Sequence, residues 1–216
     1  MTGGLLVRQN YTEDNIGQAK AWALAARLKA IRDDLKVHIA DGAAAGHKAS
    51  LLAADLIVDA TVSLSVTTYL DSISANPDRR ALMAQVATDT SSGTLGVLNI
   101  CAMGSQPSLS DVDRLAGQSV VADPRLELYH PFWGDVAEGD ELIPTRGCSV
   151  PTFHGSAADL AAVAATLTSL IGTHLQLSAP LSGTTLVALP HAADGPRYCY
   201  LPTLTRDTSE PESQSL

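Results

Sequence analysis

Stretches in which apolar residues recur every three or four positions predict helices. The clearest is 156–177, where Ser156 opens a capping pattern and leucines and valines follow at helical spacing. Further helices are predicted at 13–32, 44–53, 63–74, 78–90 and 109–116.

Short unbroken apolar runs predict strands that are buried on both faces of a sheet. Leu56–Val58, which closes on Asp59, and Leu95–Cys101 have this pattern. Two shorter strands are predicted at 37–40 and 126–129. Because strands alternate with helices, we expect an α/β fold with a mostly parallel, Rossmann-like sheet and flanking helices.

The end of the chain has a different pattern. Thr184–Leu189 and Arg197–Leu201 flank an Asp194-Gly195 turn signal, which predicts an antiparallel hairpin. From Asp207 to Leu216 the residues are polar and have no apolar period, so we expect a disordered tail. We therefore predict one domain over 1–206 and a tail over 207–216.

Charge excludes one class of function. The chain has 14 Lys and Arg against 23 Asp and Glu, a net charge of −9, and its basic residues form no cluster. Nucleic-acid binding needs a basic surface that displaces counterions, so we expect no nucleic-acid partner. We also find no signal-peptide pattern at the start and expect no membrane span, which favours a cytoplasmic protein.

Cysteines and histidines do not show the spacing of a metal site. The three cysteines, Cys101, Cys148 and Cys199, are far apart and odd in number, which argues against a disulfide framework. The six histidines lack the short spacings of a structural zinc site, so we expect no metal ligands among them. Cys101 and Cys199 lie in predicted strands and are expected to pack in the core.

The first segment that suggests chemistry runs from Arg8-Gln9 through Ile16-Gly17 to Lys20. It resembles the segment after the second strand of ThiF-like adenylyltransferases, the family that includes ubiquitin-activating enzymes and sulfur-carrier activators. The resemblance implies that Arg8 and Lys20 contact the phosphates of ATP and that Gln9 belongs to the same nucleotide-binding segment. Lys20 could equally be on the polar side of an amphipathic helix.

A second segment, from Ala54 to Thr61, is similar to the family's strand that ends in Asp-x-Thr-Asp, whose last aspartate helps hold magnesium. Asp59 and Thr61 match, and Val62 stands where that last aspartate would be. The resemblance implies a nucleotide-binding role for Asp59. Asp59 could instead cap the helix that follows.

A third segment, from Gly147 to Asp159, looks like one near the end of bacterial ThiF-domain proteins. The resemblance makes Cys148 the candidate for a thiol that accepts the activated carboxyl group as a thioester. A cysteine hydrolase built from Cys148, His154 and Asp159 is an alternative, because a nucleophile and base within reach would suffice for it.

The resemblance implies ATP- and Mg²⁺-dependent adenylation of the C-terminus of a ubiquitin-like or sulfur-carrier protein, with Arg8 and Cys148 as catalytic residues. The chain has no Gly-x-Gly-x-x-Gly and no Walker loop, so we expect weak adenylation, or none, by this polypeptide alone. Leu5 and Val62 replace polar family ligands, so a catalytically silent binding module and a gene fragment remain alternatives. If the first β-α-β unit is missing, the uncovered strand favours self-association or a complementary chain.

Overall fold

The computed structural model describes residues 11–40, 42–61, 63–89, 91–104, 107–133 and 155–203. Five α-helices and five strands occur in these ranges, together with 3-10 helices at Glu13–Asn15, Ala44–His47 and Pro124–Phe132. The helices are α1 (Lys20–Ile31), α2 (Lys48–Leu52), α3 (Leu64–Ser74), α4 (Leu109–Ala122) and α5 (Ala157–Gln176). The strands are β1 (Leu56–Asp59), β2 (Leu82–Thr88), β3 (Leu95–Cys101), β4 (Gly183–Ala188) and β5 (Tyr198–Pro202).

The five strands form one sheet in the order β1-β2-β3-β4-β5. Only β1 and β2 are parallel, and the other three neighbouring pairs are antiparallel. The α/β class and the C-terminal hairpin of β4 and β5 are therefore confirmed, whereas the expectation of a mostly parallel sheet is wrong. The cause is the segment 78–90, which was predicted as a helix and contains β2. The loop 89–94 is too short for the crossover that parallel neighbours need, so β3 must return antiparallel to β2.

Helices cover both faces of the sheet. On one face, side chains of α3 and α4 pack on the odd-numbered positions of β1–β3 around Ile57, Met83 and Cys101. The same face continues over β3 and β4, where the 3-10 helix Pro124–Phe132 contributes Tyr129. On the other face, α5 is the described helix that packs on the sheet, through Val163, Leu167 and Ile171. Gly96 makes this approach possible, because a Cβ atom there would lie 2.5 Å from Cγ1 of Val163.

One helix predicted from the local sequence pattern is present in the structure, and two predicted strands are not. The helix at 156–177 is confirmed, and the Ser156 hydroxyl accepts hydrogen bonds from the amides of Ala158 and Asp159. The strand predicted at 126–129 is wrong, since that segment is part of a 3-10 helix that Asp123 caps. The strand predicted at 37–40 is also wrong, because those residues pair with no described strand. A strand needs a neighbour for its backbone groups.

In the part of the chain that the structure describes, one helix has the length and composition of a membrane span. This helix is α5, the twenty residues Ala157–Gln176. Its packing on β2, β3 and β4 is the arrangement of a helix that covers a sheet in a globular fold, so its apolar character is weak support for a membrane location.

Candidate functional site

The structure describes two of the five residues that were predicted to form a site. Lys20 is the first residue of α1 and is half-buried, and Asp59 is the last residue of β1. Arg8, Gln9 and Cys148 lie outside the described residues, as do Leu5, Val62, His154 and the tail 207–216. The described part of the chain can therefore be used to locate Lys20 and Asp59 only.

Asp59 organises the connection between β1 and α3. Its Oδ1 accepts hydrogen bonds from the Thr61 amide at 3.0 Å and the Thr61 hydroxyl at 2.8 Å. Its Oδ2 accepts one from the Thr67 hydroxyl, on the first turn of α3, at 3.2 Å. The residue is only 2% exposed. The carboxylate thus ties the start of α3 to the end of β1, as expected of a residue that fixes a helix entry.

Lys20 occupies an electrostatically unusual position. It opens α1, where the helix dipole favours an anion and disfavours a cation. The preceding residue, Ala19, has no side-chain oxygen to accept those amides, and the first turn of α1 contains no acidic residue. Lys20 therefore begins a helix that has no side-chain cap.

A row of polar side chains, which begins at Asp59, crosses the face of the sheet that α3 and α4 cover. Asp59, Gln85, Asn99 and Thr184 are register neighbours on β1, β2, β3 and β4. The Asn99 amide donates to Gln85 Oε1 at 3.1 Å, and the Thr184 hydroxyl donates to Asn99 Oδ1 at 2.6 Å. Asn99 and Thr184 are almost completely buried. Burial of polar groups is costly unless they are paired, and this row pairs them with one another.

The row is linked to α4 through Asp113. Asp113 Oδ1 accepts hydrogen bonds from the Asn99 amide at 2.8 Å and from the Trp133 indole at 3.3 Å. Trp133 in turn lies against Gly117, where a Cβ atom would come within 2.6 Å of the indole ring. These contacts fix the Asp113 carboxylate and α4 against the sheet.

A small polar cleft lies between α3 and α4. It has a volume of about 80 Å³ and is lined by Thr67, Asp71, Gln85, Leu109, Ser110 and Asp113. Small-molecule sites usually have roughly 300–1,000 Å³, so this cleft has room for water or a small ion and not for a nucleotide. Thr67 separates it from the Asp59 carboxylate.

A larger groove of about 370 Å³ lies elsewhere, between the second half of α4 and the end of β5. Its walls are apolar or small neutral side chains, namely Leu115, Ala116, Gln118, Ser119, Ala122, Leu201, Pro202 and Thr203. A triphosphate needs positive charge, which this groove does not offer. Lys20 and Asp59 line neither this groove nor the small cleft.

The described residues do not form a magnesium site. Within the described ranges, no group of three His, Cys, Asp or Glu side chains is placed to hold a metal ion. The resemblance implies a nucleotide-binding role for Asp59, and Val62 stands where the family has its magnesium-binding aspartate. The Asp59 carboxylate already accepts hydrogen bonds from Thr61 and Thr67. We therefore derive no reaction step through a metal ion.

Two cysteines can be placed. Cys101 is completely buried, which confirms its place in the core, and its thiol lies 3.4 Å from a guanidinium nitrogen of buried Arg79. Cys199 is half-buried on β5, and burial raises the pKa of its thiol. A raised pKa disfavours the reactive thiolate, so Cys199 is poorly suited to act as a nucleophile.

Sequence reasoning missed the polar row and Asp113. The available signal was Asn99, an amide inside the otherwise apolar run Leu95–Cys101. The comparisons with known proteins add no assignment: no family model matches the chain, and no curated protein matches it significantly.

Proposed function

We propose that this chain is the distal part of a ThiF-like adenylyltransferase-type domain and takes part in ATP-dependent activation of the C-terminus of a ubiquitin-like or sulfur-carrier protein. The observation that carries the proposal is the parallel unit β1–α3–β2, with Asp59 at the carboxyl end of β1. Ligands of α/β sheets bind beyond the carboxyl ends of parallel strands. In this proposal the Rossmann-like part of the domain is the parallel unit β1–α3–β2.

The proposed chemistry requires positioning and neutralisation of charge. A carboxylate oxygen of the partner attacks the α-phosphorus of ATP, and pyrophosphate leaves. Arg8 would hold a phosphate through two parallel hydrogen bonds, and Lys20 would act as a point charge beside it. Gln9 would contact the nucleotide in the same segment. Mg²⁺ would accompany ATP, as the resemblance implies.

A second step would use Cys148. Its thiolate would attack the carbonyl carbon of the acyl adenylate, forming a thioester and releasing AMP. Reaction with ATP and use of a reduced thiol are both compatible with the proposed cytoplasmic location.

The free edge of β1 supports a partner that completes the sheet. In the described part of the chain β1 pairs with β2 alone. Val58 on β1 is 45% exposed. An open strand edge offers unpaired backbone groups to another strand, so we propose that a complementary chain docks at this edge.

A binding module without catalysis is the second candidate function. It is favoured by the buried, fully hydrogen-bonded Asp59 carboxylate and by the small size of the cleft beside it. In this alternative the chain binds a protein partner and Asp59 serves only to fix the start of α3.

Titration with ATP and Mg²⁺ in a calorimeter separates the two candidates. The adenylyltransferase proposal predicts binding that Lys20→Ala weakens by roughly fivefold or more, since one phosphate contact is lost. Lys29→Ala, an exposed change on the same helix, is the matched control and should bind like the wild type. Absence of binding by the wild-type chain, or equal affinity of both variants, would favour the binding module.

A thiol-specific test addresses Cys148. With the partner protein, ATP and the complementary chain present, a thiol-sensitive adduct should form with the wild type and with Cys199→Ser, and be lost with Cys148→Ala. An adduct that persists in Cys148→Ala would remove Cys148 from the proposed mechanism.

A further inference from the structure

We draw no further inference here: the strongest candidate, the small polar cleft between α3 and α4 that Asp71, Gln85 and Asp113 line, carries nothing, because the buried side chains beside it in the described part of the chain, Asp59 and Asn99, already have hydrogen-bond partners and leave two half-buried carboxylates with no second observation that points to a ligand.

Discussion

The side-chain amide of Asn99 donates a hydrogen bond to Oδ1 of Asp113 at 2.8 Å, and this bond joins the middle strand of the sheet to α4. Asn99 also bonds Gln85 and Thr184, so one buried amide links β2, β3, β4 and a helix. Two apolar clusters lie on either side of it on the same face. The position of α4 therefore depends on a polar contact between two hydrophobic regions.

Replacement of Asn99 by Ala should reduce the free energy of unfolding by about 2–3 kcal/mol, because Thr184 and Asp113 would lose buried hydrogen-bond partners. Urea denaturation followed by circular dichroism measures the change. Gln118→Ala, at an exposed position on α4, should change stability by about 0.5 kcal/mol or less. Equal stability of the two variants would show that the polar row contributes little.

Gly96→Ala should destabilise the fold by about 1–3 kcal/mol, because the added methyl group would overlap Val163 and push α5 from the sheet. Gly46→Ala is the matched control, since a Cβ atom there meets nothing within 4 Å. Thermal unfolding of both variants gives the comparison. A neutral effect of Gly96→Ala would mean that α5 does not pack as described.

Asp89 should make stability depend on pH in the acid range. Burial alone would raise the pKa of its carboxyl, but hydrogen bonds from the amides of Leu95, Ser92 and Gly93 outweigh burial and lower it. Because the carboxyl has a lower pKa in the folded chain than in the unfolded chain, it stabilises the fold at pH values above its unfolded pKa, about 4. This stabilisation is lost as the pH falls through the folded pKa.

Urea denaturation of the wild type and Asp89→Asn between pH 7 and pH 3 measures this contribution. The difference in stability between them should be largest at neutral pH and shrink as the pH falls. Asp78→Asn, at an exposed position, is the control for removal of an acidic group. A difference that stays constant with pH would exclude the role given to Asp89.

Tyr129 should remain un-ionised well above the usual range of tyrosine. Burial raises the pKa of Tyr129 to about 12, and its hydroxyl donates to the carbonyl of Pro196 at 2.7 Å. Because the phenol has a higher pKa in the folded chain than in the unfolded chain, it stabilises the fold at pH values below its unfolded pKa, about 10. This stabilisation is lost as the pH rises towards 12. Burial also raises the pKa of Tyr200. Alkaline titration of phenolate absorbance should therefore show a late transition near pH 12 that Tyr129→Phe removes. Tyr198→Phe, at an exposed position, should leave the late transition in place.

The predictable parts of the fold were those whose local pattern agrees with their final environment. In α5, the apolar periodicity and the capping Ser156 both favour a helix. In the hairpin of β4 and β5, the strand pattern and the turn signal both favour antiparallel pairing. The segment of β2, Leu82–Thr88, contains Leu, Met, Ala and Gln, which favour helix. Pairing with β1 and β3 overrides that preference, and pairing between distant strands cannot be derived from local periodicity.

The candidate site was predictable only in part. The position of Asp59 at the end of a strand follows from the apolar run before it. The expected burial of that strand on both faces is wrong, because Val58 is 45% exposed. Its bond to Thr67 depends on how α3 returns over the sheet, and the bond between Asn99 and Asp113 depends on α4. Such contacts join segments that are distant in sequence, so spacing along the chain contains no information on them.

Amine footprinting with and without ATP and Mg²⁺ tests the central claim that Lys20 lies at a nucleotide phosphate. The chain has four lysines, Lys20, Lys29, Lys36 and Lys48, and the last three serve as internal controls in the same sample. After acetylation and mass spectrometry, the account predicts that nucleotide protects Lys20 and leaves the other three unchanged. Equal labelling of Lys20 in the presence and absence of saturating nucleotide would contradict it.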